Sequence, residues 1–271
     1  VEYDRPGRRL TIHPDPVPPP RPATAQPPSS LAVVALYRDN ARYLPHAFER
    51  FAAWERAGMA VRYFFLENDS ADGTAGLLAD FMHGRRGRLE CRQLAARVPT
   101  HAAGDGHDRV MTLARMRNYI VDIAMADAPQ AADEWTILVD SDILFPDDVL
   151  ERMFAARARD PHPDTIGMLT CYTQQLFDPS QLPGDGTAVP GISGLVSADH
   201  YFDTYAFQDA AHRHLHPFCG FARCRRCRDR DTIGLPLIPR ERGIVDVAAA
   251  FGGLAAVPTA LLSDPRIRWT T

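Results

Sequence analysis

The sequence predicts an α/β protein with a mostly parallel central sheet, and three observations carry that prediction. Strand-length segments that are apolar or largely apolar occur at residues 31–36, 60–66 and 135–139. Between them, apolar residues return at helical spacing. Acidic, amide and arginine side chains follow the runs directly, as expected where parallel strands present ligand-binding residues beyond their carboxyl ends.

The elements follow in order. Residues 1–30 hold nine of the 23 prolines (Pro6, Pro14, Pro16, Pro18, Pro19, Pro20, Pro22, Pro27, Pro28), which removes backbone donors and favours extended chain. This segment is expected to be an arm or linker. After the first strand, Leu44, Ala47, Phe48, Phe51 and Ala52 mark a helix that stops at Gly58. The second strand leads into the turn 68–73, Asn-Asp-Ser-Ala-Asp-Gly, and a helix through Leu77, Leu78 and Phe81. Residues 89–94 read as a third strand. A Gly- and His-containing loop at 100–107 precedes a long helix with Val110, Leu113, Ala114, Arg117, Val121 and Ala124 on one face. The strand 135–139 then delivers Asp140-Ser141-Asp142, with a helix at 147–159 behind it. The second half is less regular: a strand at 166–172, a Gly- and Pro-rich loop to 194, an aromatic block at 201–207, and a strand-like stretch at 245–257. No internal repeat is present.

Composition narrows the chemistry. A chain of 271 residues and 30.1 kDa is too large for a disulfide-stapled miniprotein. Its apolar runs are too short to span a bilayer. The balance of 30 basic and 34 acidic residues, a net charge of -4, argues against a nucleic-acid binder. There is no lysine, so all 30 basic side chains are Arg. A P-loop, a Schiff-base enzyme and a protein kinase each need a Lys and are excluded. Ala-rich, all-Arg composition also fits a GC-rich bacterial genome. Five cysteines, an odd number, and no signal-peptide pattern at the start of the chain point to the cytoplasm.

The most informative feature is Asp140-Ser141-Asp142 after a buried strand. Carboxylates at i and i+2 in extended chain point to one side and can share a hard divalent cation, Mn²⁺ or Mg²⁺, that also takes diphosphate oxygens. The plainer alternative is a capping Asp before the following helix beside an exposed one. Tyr37, Arg38, Asp39 and Asn40 end the first strand, and Glu67, Asn68, Asp69 and Ser70 end the second. In a parallel sheet these tips come together, offering acceptors to a base edge and ribose and Arg38 to a phosphate. Asn68, Asp69 and Ser70 serve equally well as helix caps. Arg115, Arg117 and Asn118 carry cationic and amide groups towards the same sheet, and Arg117 lies on the apolar face, where an unpaired guanidinium is costly.

In the second half, Gly252 and Gly253 mark either a close backbone approach to a ligand or a tight strand crossing. Asp203 and Asp209 in the aromatic block, and Asp246 just before the terminal strand, are the carboxylates placed to meet sugar hydroxyls; aromatic side chains beside carboxylates suit a sugar and equally an ordinary core. His212, His214, His216, Cys219, Cys224 and Cys227 form either a structural Zn²⁺ site built on the three cysteines or an exposed loop of free thiols; the arginines around them could instead face a polyanion.

The strand, Glu-Asn-Asp-Ser-x-Asp-Gly turn, Arg-x-Arg-Asn helix and strand ending Leu-Val-Asp-Ser-Asp together resemble a GT-A glycosyltransferase, a Rossmann-like fold. The resemblance spans residues 31–260. It is nearest to the fungal capsule-associated α-1,3-mannosyltransferase family and more distant to the Anp-type mannosyltransferases. Residues 201–205, Tyr-Phe-Asp-Thr-Tyr, with Gln208-Asp209, are similar to a segment of the former family, although Gln208 replaces an Arg. The resemblance implies a donor-binding half at 31–146 and an acceptor-binding half at 147–271 of one domain. It further implies a GDP- or UDP-sugar donor, Mn²⁺ or Mg²⁺ on Asp140 and Asp142, a carbohydrate or secondary-metabolite acceptor, Gly252 and Gly253 beside the donor sugar, and retention of anomeric configuration. Such enzymes often carry a metal-binding His near the carboxyl terminus, and no His follows His216. Two rival readings are a haloacid-dehalogenase-like phosphatase, which places Asp-x-Asp early in its fold and usually uses a Lys, and a non-catalytic module that binds a nucleotide or partner.

Overall fold

The structure, a computed structural model, describes residues 26–94, 107–127, 132–171, 174–177, 187–188, 196–201, 208–210 and 244–269. The chain divides into two compact units, one built from residues up to Leu169 together with those from Ala256 on, the other from Thr170–Ala255. Its first elements are β1 (Ser30–Tyr37), α1 (Leu44–Arg56), β2 (Ala60–Asn68), α2 (Thr74–Met82), β3 (Gly87–Arg92), α3 (His107–Ala126), β4 (Trp135–Asp140) and α4 (Val149–Arg159). Then follow β5 (Leu169–Thr170), β6 (Gln174–Phe177), β7 (Thr187–Ala188), β8 (Val196–Tyr201), β9 (Gln208–Asp209), β10 (Val247–Ala249), β11 (Leu254–Pro258) and α5 (Thr259–Leu262).

The expected α/β architecture is present. A six-stranded sheet has the order β3-β2-β1-β4-β11-β5. The pairs β3–β2, β2–β1 and β1–β4 are parallel. The Thr259 N–H donates to the Glu134 carbonyl at 3.0 Å, so the end of β11 meets the start of β4 and that pair is antiparallel. β1, β2 and β4 are buried along nearly their whole length, which explains why they read as predominantly apolar runs, with Arg62 of β2 and Thr136 of β4 the polar exceptions in their interiors. The helices cover the sheet with Leu44, Phe51 and Trp54 of α1, Leu78 and Phe81 of α2, Ile120, Val121 and Ala124 of α3, and Leu150 and Phe154 of α4. Aromatic rings knit one face: Phe51 lies 5.7 Å from Tyr63, Tyr63 5.1 Å from Phe81, and Trp54 5.7 Å from Phe145.

The boundaries differ from the sequence reading in four places. The third strand starts at Gly87, not residue 89, because Gly87 pairs with Tyr63 at a φ of 121°. A Cβ there would stand 1.9 Å from the Tyr63 carbonyl oxygen, so only glycine fits. The strand expected at 166–172 contracts to the two residues of β5. The helix expected from 147 begins at Val149. The stretch 245–257 is two strands, broken where Gly252 and Gly253 take φ values of 63° and 75°, a left-handed turn that residues with a Cβ rarely adopt.

At the amino-terminal side of the sheet, Arg62 and Glu134 form a buried ion pair, each 4% exposed. The guanidinium donates through Nη2 and Nε to Oε1 and Oε2 at 2.7 and 3.2 Å, and through Nη1 to the Asp127 carbonyl at 2.6 Å. In the second unit, β6-β8-β7 form an antiparallel sheet and β9 pairs antiparallel with β10. The Pro-rich residues 1–25 lie outside the described residues. Among the described residues, no helix is long and apolar enough to cross a membrane.

Candidate functional site

The strand order places a topological switch between β1 and β4: from β1 the chain adds β2 and β3 on one side, then returns through α3 to lay β4 on the other. Ligands of open α/β sheets bind at such a crevice beyond the carboxyl ends. The register brings the expected residues to this edge, with Asp140 opposite Leu36 and Tyr37 opposite Glu67.

β4 ends at Asp140, and Ser141 and Asp142 form a turn, so the extended geometry expected across the triplet holds only up to Asp140. Asp140 and Ser141 are half-buried and Asp142 is exposed. Asp140 Oδ1 accepts a hydrogen bond from Arg117 Nη2 at 2.5 Å. That contact explains the arginine on the apolar face of α3: its stem lies among buried residues while its head reaches the sheet edge. Asp142 has no hydrogen-bond or ion-pair partner among the described residues. Neither carboxylate caps α4, whose N-cap position is Asp148, so the capping alternative is set aside. Among the described residues, no group of three or more His, Cys, Asp or Glu side chains is placed to hold a metal ion. Asp140 at the end of β4 and Asp142 on the turn are the carboxylates that could hold a cation at this edge, and carboxylate ligands suit Mg²⁺ or Mn²⁺, which keep water and phosphate oxygens.

The ends of β1 and β2 are laced into one platform. Asp39 and Asp69 both take left-handed backbone, at φ 51° and 53°, which Asp tolerates better than most residues. The Asp39 N–H donates to Ser70 Oγ at 3.0 Å, and the Ala71 N–H donates back to Asp39 Oδ1 at 2.8 Å. The Asn40 N–H donates to Thr74 Oγ1 at 2.8 Å and the Ala41 N–H to Asp72 Oδ2 at 2.9 Å. Burial acts to raise the Asp72 carboxyl, but the hydrogen bonds from Thr74 and Ala41 outweigh it and hold it below the usual range. Asp72 Oδ1 also accepts from the Thr74 N–H at 3.1 Å at the start of α2, whose N-cap position is Gly73, so Asn68, Asp69 and Ser70 do not cap the helix as expected. The sequence signal for this lacing was the Asp-Gly turn; its partners across 31 to 34 positions were not readable.

Several candidates are engaged in packing or local hydrogen bonds. Tyr37 is only 2% exposed, with its ring edge-on to Phe65 at 5.3 Å, and burial pushes its phenol well up. Asn68 is 4% and Glu67 5% exposed. Glu67 Oε1 accepts from the Ser70 N–H at 2.8 Å, and the Asp69 carboxylate from the Leu94 N–H at 3.2 Å. Asn118 is bound to Trp269 rather than turned to the edge. Arg38 is half-buried and Arg115 exposed.

In the second unit, Asp209 of β9 pairs in register with Val247 of β10, the residue after Asp246; Asp246 is exposed. Gly252 and Gly253 are buried in their turn. Asp203 lies outside the described residues, as do His212, His214, His216, Cys219, Cys224 and Cys227, the expected zinc loop.

No protein-family model and no curated protein matches the chain. Solved structures similar to it include the mannosyltransferase PcManGT from Pyrobaculum calidifontis in complex with GDP-Man and Mn²⁺, 16% identical over 56% of this chain and 37% of that one, with a TM-score of 0.34. S. aureus TarS 1–349 in complex with UDP-GlcNAc is 15% identical over 47% of this chain and 30% of that one, with a TM-score of 0.31. A further structure of S. aureus TarS 1–349 is 11% identical over 89% of this chain and 50% of that one, with a TM-score of 0.39. The chain therefore spans half or less of the length of these solved chains.

Proposed function

We propose that the protein is a metal-dependent glycosyltransferase that moves a hexose from a GDP- or UDP-sugar to a hydroxyl acceptor. The observation that carries this reading is the acidic pair Asp140 and Asp142 at the carboxyl end of β4, beside the switch in strand order, with a cationic Arg117 on Asp140. Asp140 and Asp142 would hold the Mn²⁺ or Mg²⁺. When bound, the cation neutralises the charge that grows on the leaving diphosphate oxygen. The laced turns 38–41 and 68–74 form the rigid floor for the nucleotide, with Arg38 and Arg115 as further cations for its phosphates. The reaction is proposed to retain anomeric configuration, which needs no strong general base on the opposite face of the sugar. Asp203, Asp209 and Asp246 are then proposed to hold sugar hydroxyls rather than abstract a proton.

A thermal-shift panel of nucleoside diphosphates and nucleotide sugars, with and without Mn²⁺, tests the reading, because a ligand of the folded state raises apparent stability. A metal-dependent shift by one diphosphate family, followed by hydrolysis or transfer of the corresponding sugar, is the expected result. A shift with no turnover of any sugar nucleotide would leave a binding module instead. Anomeric coupling in the NMR spectrum of the product decides retention.

A further inference from the structure

We infer that Arg117 is an exchangeable counter-ion that couples cation binding to diphosphate binding at the end of β4. This rests on the metal-centre reading above and adds to it the means by which the two ligands sense each other.

Arg117 Nη2 lies 2.5 Å from Asp140 Oδ1, and the two side chains are 23% and 35% exposed. An ion pair this accessible to water is held weakly. The contrast within the same unit is Arg62–Glu134, 5% and 2% exposed at the side chains, where a change of partners would leave a charge in the core. Arg117 leaves α3 between the buried Ala114 and Met116 on one side and Ile120 and Val121 on the other. Its stem is anchored while its head stays at the sheet edge.

With the guanidinium on Asp140, the Asp140 and Asp142 carboxylates carry a combined charge nearer -1 than -2. A cation arriving alone meets a weakened field and must compete with Arg117 for Asp140. A diphosphate changes the balance, because the guanidinium fork binds phosphate as readily as carboxylate. Any phosphate sharing a cation with Asp140 lies next to that carboxylate, within reach of the group already touching it. Arg117 therefore has two arrangements: on Asp140 without ligands, and on the diphosphate once the cation takes Asp140. Each ligand favours the second, so each strengthens the binding of the other by the same factor.

The experiment measures that factor. UDP and GDP affinities are determined by equilibrium dialysis in saturating Mn²⁺ and in EDTA, and Mn²⁺ affinity without nucleotide by electron paramagnetic resonance. The wild-type chain is expected to bind one of the two nucleotides about tenfold or more tightly with Mn²⁺. In Arg117→Gln the coupling should fall by about threefold or more, the remainder being the direct attraction of the cation for the phosphate it shares, while Mn²⁺ alone binds severalfold more tightly because its competitor is gone. Arg117→Lys, which keeps the charge without the fork, should fall between. Arg115→Gln, on the exposed side of the same helix, should lower nucleotide affinity and leave the coupling unchanged. Wild-type coupling retained in Arg117→Gln, or weaker binding of Mn²⁺ alone, would overturn the inference and leave the metal-centre reading standing. Absence of coupling in the wild-type chain with both nucleotides would bring down the metal-centre reading itself.

Discussion

Asn118 and Trp269, 151 positions apart, are joined by a reciprocal pair of hydrogen bonds. Asn118 Nδ2 donates to the Trp269 carbonyl and the Trp269 N–H donates to Asn118 Oδ1, each at 3.0 Å. Next to them, Arg268 reaches Asp122 Oδ1 through Nη2 at 2.7 Å and the Leu262 and Asp264 carbonyls through Nη1 at 3.0 and 2.9 Å. The segment after α5 is thus strapped along α3, beginning one residue from Arg117. Asn118→Ala leaves both Trp269 backbone groups without these partners and should cost about 1–2 kcal/mol. Hydrogen exchange should accelerate at Trp269 and Arg268 and stay unchanged in β1. Unchanged exchange at Trp269 would mean that the strap is held by Arg268 alone.

The Arg62–Glu134 pair gives a larger effect. Glu134→Ala removes the buried bidentate partner of Arg62 and leaves it only the half-exposed Asp127 carboxylate at 3.3 Å and the Asp127 carbonyl, so it should destabilise the chain by up to about 3–5 kcal/mol. The double variant Arg62→Met, Glu134→Leu should be milder than that single one, because no uncompensated charge remains. Urea midpoints of the three proteins measure this. A double variant as unstable as Glu134→Ala would assign the loss to packing rather than to charge.

At the proposed metal centre, Asp142→Ala should abolish transfer without changing the thermal midpoint of the ligand-free protein, since the side chain is exposed on a turn. Asp140→Asn should act in the same direction but less severely, keeping one oxygen for Arg117. Turnover and Mn²⁺ dependence are the measurements. Full activity of Asp142→Ala in Mn²⁺ at substrate-level concentration would remove the carboxylate from the chemistry.

Asp264 supplies a pH prediction. Hydrogen bonds from the Arg266 side chain and backbone N–H hold its carboxyl down to about 2. Because the folded value lies below the unfolded one of about 3.9, its contribution to stability is present above that unfolded value and is lost as pH falls through about 2. Carbon-13 titration of the Asp264 carboxyl should show the depressed midpoint, and Arg266→Ala should return it towards about 3.9. A midpoint already near the ordinary value in the wild-type chain would contradict the contact.

The sequence by itself determined what depends on near neighbours along the chain. β1, β2 and β4 were legible because strands covered on both faces are apolar along most of their length, and their ends were legible because polar residues return where that cover stops. The acidic pair was legible for the same reason, as the first carboxylates after a buried run. Tertiary structure alone decided the rest. Arg62 is a charge in mid-strand whose partner lies 72 positions away, and no local pattern encodes such a distance. Tyr37 and Asn68 have the residue types of a binding site, yet burial depends on what other segments lay over them. The same holds for Arg117, an isolated charge on an apolar helix face. It acquires a meaning only when the return through α3 sets β4 beside β1 and brings Asp140 under its guanidinium.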